Sequence, residues 1–206
     1  MPLFLIKKPN NHVDIAVWKI SESQDELLEM LKDKVSEPDD AMTSSNQSKF
    51  SQRIAVRLLL AHFFDSFTLE YDDKGKPHLA DQEDVHISIS HANEFVAIAV
   101  NYQEPCGVDI EKISAKALRV KNKFMNEKEL DLVAENEELA TTMWSAKEAL
   151  YKYYGRKEVI FDTDLSLTNL SLTECDFIGS IKLNGFEKQL NLKKEKIESF
   201  MLVYTC

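Results

Sequence analysis

The run VHISISHANEFVAIAV, Val85 to Val100, limits the folds open to this chain more than any other stretch. Val85, Ile87 and Ile89 alternate with His86, Ser88 and Ser90, and beyond His91–Glu94 the residues Val96, Ile98 and Val100 repeat the pattern. Alternation of period two on both sides of a short polar turn marks a β-hairpin. It predicts two antiparallel strands and puts His91 at the hairpin's tip, where a lone histidine is by itself only a polar turn residue.

Helical periodicity surrounds this hairpin. Residues 2–6 and 13–20 read as short strands, and SESQDELLEMLKDK after them as a helix capped by Ser21 or Ser23. Glu37 to Gln47 is polar and reads as a loop. From Lys49 to Phe64 the stripe Phe50, Ile54, Leu58, Ala61 predicts an amphipathic helix with Arg53 and Arg57 one turn apart beside it. That arginine pair is either a solvated face or a grip for phosphate. Asp72 to Pro77 reads as a turn built around Gly75.

Pro105 then marks a linker, and Cys106 to Ile113, CGVDIEKI, reads as a strand. Val108 and Ile110 face one way and Asp109 and Glu111 the other, which sets two carboxylates on one face about 7 Å apart. Like charges so placed are tolerable if exposed, or if a cation sits between them. A hard divalent ion such as magnesium takes one or two carboxylates and completes its shell with water and phosphate oxygens.

Met143 to Tyr154, MWSAKEALYKYY, has good helix formers and stops at Gly155. Trp144, Lys147, Glu148, Tyr151 and Lys152 share overlapping faces of that helix, so large aromatics are bordered by a carboxylate and an ammonium. Glu148 and Lys152 are either a surface pair or one wall of a site. If the helix packs across the Asp109 strand, Glu148 supplies a third oxygen ligand. Between the two, Ser114 to Ala134 carries Lys116, Arg119 and Lys123 on one potential helix face. After Gly155 the chain turns to strands at 159–161, 165–172, 177–183, 189–192 and 200–205, with Asn184-Gly185 as a hairpin signal.

A chain of 206 residues, 44% hydrophobic, can bury one sizeable core or two smaller ones. Helix and strand fall in similar measure on either side of Pro105. The expected fold class is therefore α+β, in two similar α+β halves, residues 1–104 and 105–206. The net charge of −10 argues against a general nucleic-acid or membrane-surface binder, so an anionic ligand must be held by a local basic cluster or a metal. No apolar stretch is long enough to span a membrane, and MPLFLIKKPNN does not have the form of a signal peptide. Three widely spaced cysteines, Cys106, Cys175 and Cys206, suit reduced thiols in the cytoplasm.

The motifs Gly107-Val108-Asp109-Ile110-Glu111 and Trp144-Ser145-Ala146-Lys147-Glu148-Ala149-Leu150-Tyr151-Lys152, with their spacing, resemble the two signatures of the 4′-phosphopantetheinyl transferase superfamily. Gly75-Lys76-Pro77, followed by Ile89-Ser90-His91, resembles further elements of the family's larger, surfactin-synthetase-activating members. The resemblance covers the chain from about Arg57 to Gly155.

It implies a monomeric pseudo-dimer of two α+β halves with the active site between them. It also implies an enzyme that transfers the phosphopantetheine arm of coenzyme A to a serine of an acyl, peptidyl or aryl carrier protein. Such a reaction depends on magnesium and releases adenosine 3′,5′-bisphosphate. Residue by residue, it assigns Asp109, Glu111 and Glu148 as metal ligands and Lys152 as a contact of coenzyme A phosphate. His91, with Ser90, falls near the phosphates, Gly75, Lys76 and Pro77 lie against the adenosine end, and Arg57 reaches the 3′-phosphate. The catalytic residues are then Glu148, Lys152 and Glu129. Glu129 corresponds to a glutamate proposed as base, with Glu127 a rival for the position and Glu148 or water as other proton acceptors. Carrier proteins are acidic, which gives Lys116, Arg119 and Lys123 a partner to dock. A non-catalytic module binding coenzyme A or carrier protein, and a magnesium-dependent phosphodiesterase, are the alternative readings.

Overall fold

The structure is a computed structural model, and it describes residues 3–32, 47–183 and 185–206. Most of the loop read at 37–47, and Asn184 of the turn read at 184–185, lie outside the described residues. The first part of the chain runs β1 (Leu3–Asn10), β2 (Val13–Lys19), α1 (Gln24–Lys32), α2 (Gln47–Phe63), β3 (Leu69–Tyr71), β4 (Pro77–Leu79), β5 (His86–Ala92) and β6 (Phe95–Asn101). The second runs β7 (Val108–Lys112), α3 (Ala115–Val120), α4 (Glu127–Val133), α5 (Glu137–Tyr154), β8 (Leu165–Thr168), β9 (Asp176–Leu183), β10 (Phe186–Ile197) and β11 (Phe200–Thr205). A 3-10 turn, Lys121–Lys123, follows α3.

Each part builds its own antiparallel sheet. The first has the order β1-β2-β6-β5 and the second β7-β11-β10-β9-β8, while β3 and β4 pair as a separate small hairpin. The sheets pack face to face through Val13, Ile15, Val17, Phe95, Ala97, Val108, Ile110, Phe200, Leu202 and Tyr204. The outer face of the first sheet is covered by Leu27 and Leu31 of α1 and by Ile54, Ala55, Leu58 and Leu59 of α2. Met143, Ala146, Ala149 and Leu150 of α5 cover the second through Phe177, Ile181, Leu192, Met201 and Val203. The result is an α+β fold in four layers, helix, sheet, sheet and helix, compatible with two related halves. Central strands buried on both faces need no alternation, which is why β6, FVAIAVN, is buried along its whole length.

Local chemistry sets the element ends. Ser23 caps α1: its Oγ accepts from Glu26 N and the Glu26 carboxylate accepts from Ser23 N. Asn136 caps α5 by accepting from Leu139 N. Gly155 ends α5 in the left-handed region at φ 66°. Lys76 crosses directly over Gly155, so any side chain there would also collide with it.

Several sequence expectations are corrected. The β5–β6 turn falls on Asn93 and Glu94, so His91 pairs with Val96 inside β5 rather than capping the hairpin. Ser114 to Ala134 is not one helix. The chain leaves helical geometry at Phe124, φ −141°, where Phe124 and Met125 are both buried. Asn126 and Glu129 then start α4 with a capping box. Lys123 therefore leaves the helix that carries Lys116 and Arg119. Val159–Phe161 forms no strand, because Phe161 turns back to pack on Trp144 and Tyr151. The strand expected at 189–192 extends over all of β10, whose exposed lysines and glutamates concealed it.

Gly107 fixes the approach of β7 to α5. A Cβ there would lie 1.9 Å from the carbonyl oxygen of Ala149, a backbone atom that cannot move aside alone. Gly107→Ala is expected to destabilise the protein by about 2 kcal/mol or more, read as a lowered midpoint in chemical denaturation.

Candidate active site

The site forms where β5, β7 and α5 meet. The edge of β7 that faces β5 is not paired backbone to backbone. Ser88 Oγ accepts from Val108 N at 3.1 Å and Ser90 Oγ from Ile110 N at 3.2 Å, so two side chains satisfy N–H groups that a neighbouring strand would otherwise take. Ser90 Oγ donates in turn to Asp109 Oδ1 at 2.8 Å. The alternation in the sequence placed these serines on one face of β5, but nothing in it showed what they bind.

Asp109 is only 4% exposed. Its Oδ1 also accepts from Lys152 Nζ at 2.8 Å, and Lys152 Nζ donates a second bond to the Val108 carbonyl at 2.9 Å. Its Oδ2 is buried with no hydrogen-bond partner. A buried carboxylate oxygen left unpaired is costly unless something positive completes it.

Two further carboxylates share this environment. Glu111, half-buried two residues along β7, accepts from Trp144 Nε1 at 3.3 Å. Burial and then the Asp109 charge push its carboxyl above the usual range. Glu148 of α5 is pushed up to about 7, first by burial and then by Asp109, with Lys152 pulling the other way and Glu111 adding to the rise. Burial is the larger cause of both rises, and the Asp109 charge adds to each. As they stand, no three His, Cys, Asp or Glu side chains among the described residues are grouped closely enough to hold a metal ion. In its chemistry the donor set, all oxygen with one orphaned buried atom, fits a hard divalent ion.

A cleft of about 820 Å³ opens on these groups, lined also by Arg53, Arg57, Tyr71, Gly75, Pro77, Ile89, Ser90 and His91. A narrower pocket of about 230 Å³ shares Gly75, Pro77, Ile89, Glu148 and Lys152 with it and adds Lys74, Lys76, Ser88, Tyr151, Arg156 and Lys157. Basic groups and the three carboxylates thus line the same cavities. His91 lines the cleft, where desolvation and the nearby Lys152 and Lys49 hold its imidazole below the ordinary value. Burial likewise lowers the Lys76 ammonium. Arg57 is buried, with Nη1 donating to the Arg53 carbonyl, whereas Arg53 is the exposed member of the pair. Tyr71, Tyr151, Arg156 and Lys157 are not site candidates in the sequence, because only the fold puts Tyr71 of β3 in the cleft and the other three, from the end of α5 onward, in the narrower pocket.

The structure brings together Asp109, Glu111, Glu148, Lys152, His91, Ser90, Arg57, Gly75, Lys76 and Pro77. It does not bring Glu129. That carboxylate is 3% exposed and lines neither cavity. It accepts from Lys147 Nζ, Asn126 N and Leu167 N. Glu127 is exposed on α4.

The family model of the 4′-phosphopantetheinyl transferase superfamily matches residues 105–196, the stretch that holds β7 and α5. Over that stretch the chain is similar to members of that superfamily. Among curated relatives, the 4′-phosphopantetheinyl transferase Sfp of Bacillus subtilis is 36% identical over 94 residues, 43% of this chain and 40% of that protein. The 4′-phosphopantetheinyl transferase gsp of Aneurinibacillus migulanus is 32% identical over 90 residues, 41% of this chain and 37% of its own length. The 4′-phosphopantetheinyl transferase psf-1 of Bacillus pumilus is 30% identical over 97 residues, 45% of this chain and 41% of its own. The matches span about two fifths of each relative. No helix of the described residues is long and apolar enough to cross a membrane.

The raised Glu148 carboxyl has a measurable consequence. A carboxyl whose folded pKa lies above its unfolded value of 4.5 binds more protons folded than unfolded between the two. Its contribution is therefore fully present below about pH 4.5 and is lost as pH rises through about 7. Glu148→Gln is expected to raise the Tm of metal-free protein at pH 8 by about 2–4 °C, for a gain of ~1 kcal/mol, and to flatten the pH dependence below pH 7. Differential scanning calorimetry across that range checks it.

Proposed function

We propose that this chain transfers the 4′-phosphopantetheine arm of coenzyme A to a serine of an apo acyl, peptidyl or aryl carrier protein. The observation that carries this reading is the buried Asp109, tied to Lys152 on one oxygen and unpartnered on the other, in a cleft lined also by Glu111, Glu148, His91 and Arg57. Clustered carboxylates of this kind hold a cation, and basic groups beside them hold phosphates.

Asp109, Glu111 and Glu148 would hold a magnesium ion, which when bound supplies positive charge to the pyrophosphate of coenzyme A. Lys152 spends two of its three N–H bonds on Asp109 and Val108, so the third is left to hold a phosphate oxygen in a fixed direction. His91, held below its ordinary value, would add a donor in the same cleft, and Ser90 would keep Asp109 from rotating. Gly75, Lys76 and Pro77 lie between the two cavities and would carry the adenosine end, with Arg57 and its neighbour Arg53 beyond them toward the 3′-phosphate.

The serine oxygen of the carrier attacks the phosphorus that bears the pantetheine arm. The bond from that phosphorus to the bridging oxygen breaks, and adenosine 3′,5′-bisphosphate leaves with the electron pair. Of the carboxylates considered as base, Glu148 would accept the serine proton, because Glu129 lines neither cavity and would not touch the substrate.

The carrier protein, being acidic, would dock on the side of the cleft where Lys116 and Arg119 stand on α3 and Lys123 on the following turn. All three are exposed, and Lys116 borders a small groove formed with Glu111, Ala117, Val120 and Trp144. We further propose that the chain works as a cytoplasmic monomer whose halves are residues 1–104 and 105–206.

Mass spectrometry of candidate apo carrier proteins, incubated with coenzyme A, magnesium and this protein, is expected to show the added arm on one serine. Glu148→Ala should lower that transfer by about 100-fold or more with the circular dichroism unchanged. Release of pantetheine phosphate without labelled protein would instead favour a phosphodiesterase. Binding of coenzyme A with no turnover would favour a non-catalytic module.

A further inference from the structure

Lys147 is the one fully buried lysine among the described residues, with no exposed surface at all. Its Nζ donates to Glu129 Oε2 at 2.6 Å, to the Phe124 carbonyl at 2.7 Å and to the Phe161 carbonyl at 2.8 Å. All three ammonium protons are thereby used. Glu129 is equally committed: Oε2 also accepts from Asn126 N at 3.0 Å, and Oε1 accepts from Leu167 N at 3.1 Å. The pair thus ties α5 to four other pieces of chain: the segment ahead of α4, α4 itself, the 161–164 turn and β8.

We propose that Lys147 and Glu129 are a positioning pair that sets the rotation of α5, and with it the aim of Glu148, Lys152 and Trp144 into the cleft. This rests on the function proposed above. Consecutive residues of a helix point about 100° apart, so a bond that fixes Lys147 fixes the direction of Glu148 beside it. The two segments whose carbonyls Lys147 holds also send a ring against Trp144. Phe124 meets it edge-on with centroids 5.0 Å apart, and Phe161 stacks on it at 5.9 Å. Trp144 then donates to Glu111. One buried ammonium therefore orients two of the three cleft carboxylates, Glu148 along the helix and Glu111 through the indole. An apolar side chain at position 147 would fill the same space and make none of these bonds, and a buried ion pair is weak support for stability as such. Its use lies in direction, as with groups that orient metal ligands elsewhere.

The pair is tested with two variants and two readouts. In Glu129→Gln the amide oxygen still accepts from Lys147, so a positioning role keeps at least about a third of the transfer rate, whereas loss of a catalytic base costs about 100-fold or more. Lys147→Met is expected to weaken magnesium binding by about tenfold or more in calorimetry with the metal alone, and to raise the magnesium needed for half-maximal transfer equally. A merely structural lysine would lower the melting temperature and leave both magnesium values unchanged. Collapse of transfer in Glu129→Gln, or wild-type magnesium affinity in folded Lys147→Met, overturns the pair alone. Wild-type protein that neither transfers the arm nor binds magnesium overturns the functional reading and the pair together.

Discussion

Asp109 is a carboxylate placed where water does not reach, and the surrounding structure is organised around that fact. Burying a charge is expensive unless it is paired and hydrogen-bonded. Here the partners come from both halves of the chain: Ser90 from the first sheet, and Lys152 from the helix that covers the second. Each has another duty, Ser90 accepting from the β7 backbone and Lys152 donating to it. Neither can be removed without exposing an unsatisfied group on the strand. One oxygen of Asp109 is left buried and unpartnered, in a residue that lines the same cleft as Glu111 and Glu148, two carboxyls held above their ordinary range.

The four-layer architecture makes this arrangement rigid. The two sheets share an apolar core of aliphatic and aromatic residues from β2, β6, β7 and β11, so β5 and β7 are brought side by side by packing that lies behind them. Surface ion pairs such as Lys7–Glu195 and Lys19–Glu198 also cross between the halves, but exposed pairs of that kind contribute little. The apolar core sets the relation of the halves, and Gly107 lets β7 and α5 approach closely enough for Lys152 to reach across.

Much of this was legible in the sequence wherever one residue reports one constraint. Alternation in 85–100 gave the hairpin, D-I-E put two carboxylates on one face, and Gly155 marked the end of α5. What stayed hidden depends on residues far apart in the chain. His91 read as a tip because the polar stretch around it exceeds the two-residue turn the backbone uses. Glu129 read as a candidate base because a carboxylate in the sequence carries no sign of what it accepts from. Its donors come from positions 126, 147 and 167. Lys147 was ambiguous for the same reason: a lysine among helix formers is ordinarily solvated, and only the break of the chain at Phe124 and the return of Phe161 enclose it. The length of β10 was masked by the charges on its exposed face.

The central claim is that the space between Asp109, Glu111 and Glu148 is a cation site. Anomalous diffraction from crystals of the protein grown with coenzyme A and manganese tests it most directly. The account predicts one strong anomalous peak bounded by those three carboxylates, beside Lys152. A map with no peak there, or with its only peak on other residues, would contradict it.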